Sequence, residues 1–397
     1  MVIFGDSLSD VGRRFDAPAS FDFEDIGPFP FKRLYDGIDS DNKIPAYMPQ
    51  EGSVTNGKSW PTWLRIPDEL NYATSSASAS DAFRSRERCT GYTGEGEDYP
   101  TATLEEQIDR YMHEVLRMTG ETLGETHYTH VIIIGNNDIT RVGEAITRYT
   151  LGGEGYQDPV KFEDVFEVDA STGIPVFDEN GLPVPTFEPA VAAVLSAWDA
   201  GIGRLIESGV TGRILLSNMF SPKGFAGTFG ADAVAVLELV AQALRVGAQQ
   251  IVAKYYPQVR MLDAYTLFAA LVDNPSIFTD LGFTAGEGGA LADSCIQFQF
   301  GVDSIAEIMG TQAGRNPDCQ GECTLCADST SPCQTCLEGN PAIFKCDDPS
   351  SRIFYDDLHF TTDFHLILGE AIRLCAKDSP NFGRPFVSEL CGDSSFV

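Results

Sequence analysis

The sequence predicts an α/β protein built on a doubly wound, largely parallel sheet. Two observations support this class. Short apolar runs have the length and composition of strands that are buried on both faces, and helical patterns lie between them. Such alternation of strands and helices gives a parallel sheet covered by helices. The predicted strands are Val2–Phe4, Leu70–Ala73, Val131–Ile134, Ile214–Ser217 and Val259–Leu262.

The predicted helices carry recognisable start and stop signals. Pro189 suits a first helical position and Gly209 suits a C-terminal stop. The segment Ala233–Val252 is apolar but contains Glu238 and Arg245, which is typical of an amphipathic helix packed on a sheet. No run approaches 18 uninterrupted apolar residues, so we predict no membrane span. The predicted helices are Leu104–Met118, Ala190–Ser208, Ala231–Gly247 and Thr362–Ala376.

Two segments depart from the alternation. Gly152–Phe187 is acidic and turn-rich, with Asp178–Gly181 between short β-like runs. It is either a surface hairpin or a lid over a binding site, and the hairpin is favoured. Asn316–Cys346 is rich in cysteine. We therefore expect one domain over residues 1–397, with insertions at about 152–187 and 316–346.

The chain is strongly acidic, with 27 Lys and Arg against 58 Asp and Glu and a net charge of −31. A surface of this charge repels nucleic acid and anionic bilayers. We expect no nucleic-acid partner and no stable membrane insertion.

The ten cysteines fit an oxidising compartment. Paired Cys-x-x-Cys units between Cys319 and Cys336 could also hold zinc, and free thiols are a third alternative. Disulfides are favoured because the intervening loop is short for common zinc modules and the other cysteines need partners. The first predicted strand begins at Val2, so we expect a secreted protein whose targeting segment is not part of this chain. The cysteines are Cys89, Cys295, Cys319, Cys323, Cys326, Cys333, Cys336, Cys346, Cys375 and Cys391.

The two ends of the chain contain the elements of a nucleophilic site. Ser7 comes directly after the strand Val2–Phe4 and Gly5-Asp6, at the sheet edge where open α/β proteins bind ligands. Near the other end, Asp356 lies three residues before His359. Nucleophile first, with acid and base last, is one chain order for a Ser-His-Asp triad. The other histidines, expected to have no catalytic role, are His113, His127, His130 and His365.

These motifs resemble the GDSL-type esterases of the SGNH hydrolase superfamily, which have four signature blocks. Ser7 matches the first block, Asn71–Ala77 resembles the second, Gly135–Asp138 matches the third, and Asp356 with His359 matches the fourth. Four blocks in order are more specific than any one alone. Further family landmarks are Asn56–Trp60, Leu104 with Gln107, Asn274-Pro275 and Gly282-Phe283.

The resemblance implies a flavodoxin-like, three-layer fold and a set of catalytic roles. Ser7 is the expected nucleophile, His359 the base and Asp356 the group that orients the imidazole. The expected oxyanion hole consists of the backbone N–H groups of Ser7 and Ser76 and the side-chain amide of Asn137.

Three residues depart from the family pattern. Ser76 replaces a glycine, so its backbone N–H serves only if serine can adopt the loop conformation. Arg13 lies where relatives often have asparagine, and Phe360 replaces the usual proline after the histidine. None of these changes removes a catalytic group.

The expected function is that of a secreted serine esterase that works through an acyl-enzyme and needs no metal or organic cofactor. The expected substrates are small-molecule or carbohydrate esters, with short-to-medium acyl chains or acetyl groups. One alternative is a lipase or lipid acyltransferase that uses the same triad with an alcohol acceptor. A lesser alternative is a catalytically silent binding protein. The charge of −31 favours soluble or neutral esters over anionic phospholipids.

Overall fold

The protein has an α/β fold with a parallel sheet at its centre, which confirms the predicted class. The structure, a computed structural model, describes residues 1–11, 58–74, 77–83, 86–88, 98–100, 102–119, 127–142, 165–169, 171–179, 184–274, 296–298, 343–345, 352–354 and 359–376, and the single residues 55, 181, 283 and 391. The strands are β1 (Val2–Gly5), β2 (Arg86–Arg88), β3 (Asp98–Pro100), β4 (His130–Ile133), β5 (Ile214–Ser217), β6 (Val259–Leu262), β7 (Ile296–Phe298) and β8 (Ile343–Lys345).

The central sheet has four parallel strands in the order β1-β4-β5-β6. In its register, Ile3 pairs with Val131, and Val131 pairs with Leu215. All residues of β1, β4 and β5 are buried, as expected for strands covered on both faces. Two short antiparallel pairs, β2 with β3 and β7 with β8, lie outside this sheet.

The predicted strand Leu70–Ala73 is shorter than expected. It contributes only an isolated parallel bridge between Asn71 and Ile3, supported by a 2.8 Å hydrogen bond from the Tyr72 N–H to the Ile3 carbonyl. A 3-10 turn, Asp68–Leu70, occupies its beginning. The extended segment is therefore too short to form a ladder, although it lies beside β1.

All four predicted helices are present. The helix α4 (Ala226–Lys254) begins before and ends after its predicted bounds, and Gly247 lies within it at a close contact with Leu195. A Cβ atom there would lie 2.3 Å from Leu195 Cδ1. The helices are α1 (Trp60–Trp63), α2 (Leu104–Thr119), α3 (Glu188–Glu207), α4 (Ala226–Lys254), α5 (Ala264–Asp273) and α6 (Thr362–Ala376), with further 3-10 turns at Asp81–Phe83 and Pro222–Phe225.

Helices pack on both faces of the sheet. Phe4 and Ile132 belong to a core shared with α2, α3 and α4. Ile3 and Val131 point to the other core, shared with α1, α5 and α6, because side chains alternate between the faces of a strand. By length and composition alone α3 could cross a membrane, but here Trp198 and its other buried residues pack on the sheet.

Part of the first predicted insertion is described, and it forms antiparallel turns. Bridges join Phe166 to Pro185 and Val168 to Pro175. Phe166 is fully buried in the core, whereas Ile174 is 59% exposed. The described residues between 165 and 186 are thus paired in antiparallel fashion. Residues 152–164 lie outside the described part, and the choice between surface hairpin and lid stays a prediction.

The cysteine-rich insertion, about 316–346, lies outside the described residues apart from β8. Cys375 and Cys391 form a disulfide with a Cα–Cα distance of 5.0 Å. The other cysteines also fall outside the described residues, so their pairing stays a prediction.

Candidate active site

The turn after β1 carries Ser7 to the carboxyl edge of the sheet. The backbone N–H groups of Ser9 and Asp10 donate to the Asp6 carbonyl, at 3.0 and 3.1 Å, which closes the turn. Residues 2–10 are buried with the exception of Ser7, which is partly exposed. The turn therefore presents one hydroxyl and hides its neighbours.

His359 reaches the same edge next to an antiparallel bridge. Phe354 and Phe360 form an antiparallel bridge, and the Thr361 N–H donates to the Ile353 carbonyl at 2.8 Å. Phe360 is fully buried and anchors the adjoining His359. Four rings have centroids 4.4, 5.1, 5.5 and 5.6 Å from the centroid of Phe360, namely those of Phe364, Phe220, Phe354 and Phe268.

The structure brings Ser7 and His359 into direct contact. Ser7 Oγ lies 2.9 Å from His359 Nε2, although 352 residues separate the two in sequence. This distance is within the range for proton transfer from a nucleophile to its base. The third predicted triad member, Asp356, lies outside the described residues.

The third motif block, Gly135–Asp138, places Asn137 just beyond the carboxyl end of β4. Gly135 has φ +126, a conformation that favours glycine, and it turns the chain from β4 into the helical residues 136–142. The Asn137 amide donates from Nδ2 to the Ala77 carbonyl at 2.8 Å. A primary amide has two N–H donors, so one remains for a ligand.

The other two predicted oxyanion donors are the backbone N–H groups of Ser7 and Ser76. The Ser7 N–H has no acceptor among the residues that the structure describes, so it is free to donate to a ligand. Ser76 lies outside the described residues.

Asp138 fixes the loop to which Asn137 is bonded. Its fully buried carboxylate accepts hydrogen bonds from the N–H groups of Ala79 at 2.7 Å and Ser80 at 2.9 Å. Burial raises the pKa of Asp138 to about 7, and the two N–H donors oppose that rise. Asn137 and Asp138 together hold residues 77–80 against the end of β4.

Asp6 is a second buried carboxylate at this edge. Its side chain accepts from the Leu8 N–H at 3.1 Å and from Asn136 Nδ2 at 3.4 Å. Burial raises the pKa of Asp6 to about 6, against the hydrogen bonds from Leu8 and Asn136 and the charge of His359. Asp6 thus ties the serine turn to the third motif block.

Among the described residues, His359 is the only histidine with a hydrogen bond to Ser7, although His365 is close enough to His359 for their charges to interact. His113 and His127 are exposed, and His130 is buried with Nε2 3.0 Å from the Tyr111 hydroxyl. His365 was expected to face away from the site on its helix. It is 1% exposed on α6, its Nδ1 has no hydrogen-bond partner, and burial lowers its pKa to about 3.

Sequence reasoning assigned no role to three residues that support the site. Asp6 and Asp138 directly adjoin predicted site residues, and a charged residue beside a buried strand is a signal that could have been used. Gln107 was noted as a landmark, and its side chain binds the backbone of Gly5.

No group of three or more His, Cys, Asp or Glu side chains that could hold a metal occurs within the described residues. The cysteines of the zinc alternative lie outside them.

The chain matches no family model, and no curated protein matches it.

Proposed function

We propose that this protein is a secreted serine esterase of the GDSL type, with the flavodoxin-like, three-layer fold of the SGNH hydrolases. The observation that carries the proposal is the 2.9 Å contact between Ser7 Oγ and His359 Nε2 at the carboxyl edge of the sheet. The position of Asn71 next to β1 adds support. With that segment counted as the second strand, the sheet order is 2-1-3-4-5, as in flavodoxin-like proteins.

The chemistry follows from the donors and acceptors at this edge. His359 Nε2 takes the proton as Ser7 Oγ attacks the ester carbonyl carbon, and the protonated imidazole then gives it to the leaving alcohol. The Ser7 N–H and the second N–H of the Asn137 amide are the donors proposed for the oxyanion. Water attacks the acyl-enzyme in the second half of the cycle, with His359 again as the base.

The proposed substrates are soluble carboxylic esters, in particular acetylated carbohydrates and esters with short-to-medium acyl chains. A net charge of −31 opposes approach to anionic bilayers. The disulfide Cys375–Cys391 is in keeping with an extracellular location.

The test is a panel of chromogenic acyl esters of increasing chain length, assayed with the wild type and Ser7→Ala. Ser208→Ala, at an exposed position after α3, is the matched control. Hydrolysis by the wild type and the control, with loss in Ser7→Ala, supports the proposal. Equal turnover in all three proteins contradicts it. Product analysis with an added alcohol distinguishes hydrolysis from acyl transfer.

A further inference from the structure

The side-chain amide of Gln107 is bonded in both directions to the backbone of Gly5. The Gly5 N–H donates to Gln107 Oε1 at 2.8 Å, and Gln107 Nε2 donates to the Gly5 carbonyl at 2.9 Å. Gln107 is 2% exposed and lies 102 residues from Gly5 in sequence. Both hydrogen bonds are therefore shielded from water and long-range.

One of these bonds, the one from the Gly5 N–H, replaces strand pairing that is missing at this point. The segment beside β1 donates from Tyr72 to Ile3 and from Thr74 to Gly5, at 2.8 and 3.1 Å. The Gly5 N–H on that edge meets the Gln107 oxygen in place of another strand. A primary amide offers one acceptor and a donor in the arrangement of a peptide group, so Gln107 acts as a surrogate strand residue.

Gly5 is the last residue of β1 and has no room for a side chain. A Cβ atom on Gly5 would lie 2.8 Å from the Ile133 carbonyl oxygen and 2.9 Å from Ser9 Oγ. The chain turns immediately afterwards to present Ser7. Whatever fixes the peptide groups of Gly5 therefore also fixes the direction in which Ser7 leaves the sheet.

The start of α2 makes Gln107 a rigid support. Thr103 and Glu106 form a capping box, with bonds of 2.9 and 3.3 Å. Ser78 is bonded to the same turn, because its N–H donates to the Ala102 carbonyl and its carbonyl accepts from Leu104. The first turn of α2 is thus joined to the 77–80 loop as well as to β1.

We propose that Gln107 is a positioning residue for the nucleophile. Its amide holds the Gly5 backbone and thereby sets the approach of Ser7 Oγ to His359 Nε2, without touching the substrate. This inference rests on the proposed esterase function. It assigns to Gln107 an effect on kcat, since a misplacement of about 1 Å at a reacting atom reduces rate on the order of 10²-fold.

The test compares Gln107→Leu, which removes both bonds at similar volume, with Tyr111→Phe. The control removes a buried hydrogen bond from the same helix, the 3.0 Å contact of the Tyr111 hydroxyl with His130. Rates are expressed per active site titrated with an organophosphate. We expect kcat of Gln107→Leu to fall on the order of 10²-fold, with KM within about twofold of wild type, and kcat of Tyr111→Phe to stay unchanged.

Gln107→Glu supplies a readout that a purely structural role would not change, and it decides the matter if Gln107→Leu does not fold. A glutamate can donate to the Gly5 carbonyl only when protonated, and burial raises its pKa. The ratio of its kcat to that of wild type should therefore rise as the pH falls from about 8 to about 6.

An active wild type with unchanged kcat per site in Gln107→Leu, or a pH-independent ratio in Gln107→Glu, overturns the inference and leaves the esterase proposal standing. A folded wild type that hydrolyses no ester overturns both.

Discussion

Asn137 donates a 2.8 Å hydrogen bond from its side-chain amide to the Ala77 carbonyl oxygen. This bond fixes the orientation of the amide just beyond the end of β4. One N–H of that amide is used in this contact, and the other remains for an oxyanion. The same bond ties Asn137 to the 77–80 loop, so a single side chain connects two of the motif blocks.

Asn137→Ala should therefore slow ester hydrolysis, mainly through a lower kcat. The expected loss of transition-state stabilisation is about 2–4 kcal/mol. Asn137→Asp is the matched variant, because it keeps the shape and removes both donors. Steady-state kinetics on one soluble ester measure both variants. Activity of Asn137→Asp near that of wild type would show that the amide donates nothing to the transition state.

Asp138 should make the protein less stable as the pH rises towards neutrality. Burial raises its folded-state pKa from 3.8 to about 7, so the folded state binds this proton more tightly than the unfolded state. The corresponding contribution to the free energy of unfolding is present at low pH and is lost as the pH rises through about 7.

The free energy of unfolding of wild type minus that of Asp138→Asn should therefore decrease as the pH is raised. Urea unfolding of both proteins at about pH 5, 6.5 and 8 measures this difference. A difference that grows with pH would mean that the carboxylate is stabilised in its charged form.

The contribution of His365 to stability should have the opposite dependence on pH. Burial lowers its folded-state pKa from 6.5 to about 3, so below pH 6.5 the unfolded chain takes up a proton that the folded chain refuses. Stability from this group is present above that pH and is lost on acidification, at up to about 1.4 kcal/mol per pH unit.

His365→Leu removes this component. The free energy of unfolding of His365→Leu, relative to that of wild type, should increase as the pH falls from about 7 to about 5. Thermal or urea unfolding across this range measures the gain, and a constant gap would contradict the assignment.

The disulfide Cys375–Cys391 should stabilise the end of α6. The two cysteines are 16 residues apart, and closing a loop of that size contributes about 3 kcal/mol in the chain-entropy account. We expect Cys375→Ser with Cys391→Ser to lose about this much under non-reducing conditions. Peptide mapping after alkylation is the direct check, and two alkylated thiols at these positions in the wild type would refute the bridge.

The sheet could be predicted from the sequence because strands covered on both faces appear as uninterrupted apolar runs. The segment after Leu70 could not be predicted as accurately, since its pairing is limited by the 3-10 turn before it. The predicted end of α4 at Gly247 was also too early, because the end of a helix that packs on a sheet depends on tertiary contacts that the local sequence does not encode.

The site was predictable where chemistry is concentrated in short motifs. Ser7 and His359 belong to ordered blocks, and the structure brings them together. The bonds from Gln107 to Gly5 span 102 residues, and no local pattern encodes such a contact. The anchoring of His359 through Phe360 likewise depends on rings from several separate elements.

The most direct test of the account is covalent labelling with an organophosphate, followed by intact-mass and peptide mass spectrometry. Activation of Ser7 by His359, at 2.9 Å, predicts one adduct per chain, located on Ser7. Ser7→Ala should take up none, and His359→Ala should react far more slowly, whereas His113→Ala, changed at an exposed position on α2, should be labelled like wild type. Equal labelling of Ser7→Ala, or an adduct on another residue of the wild type, would contradict the assignment of Ser7 as the nucleophile.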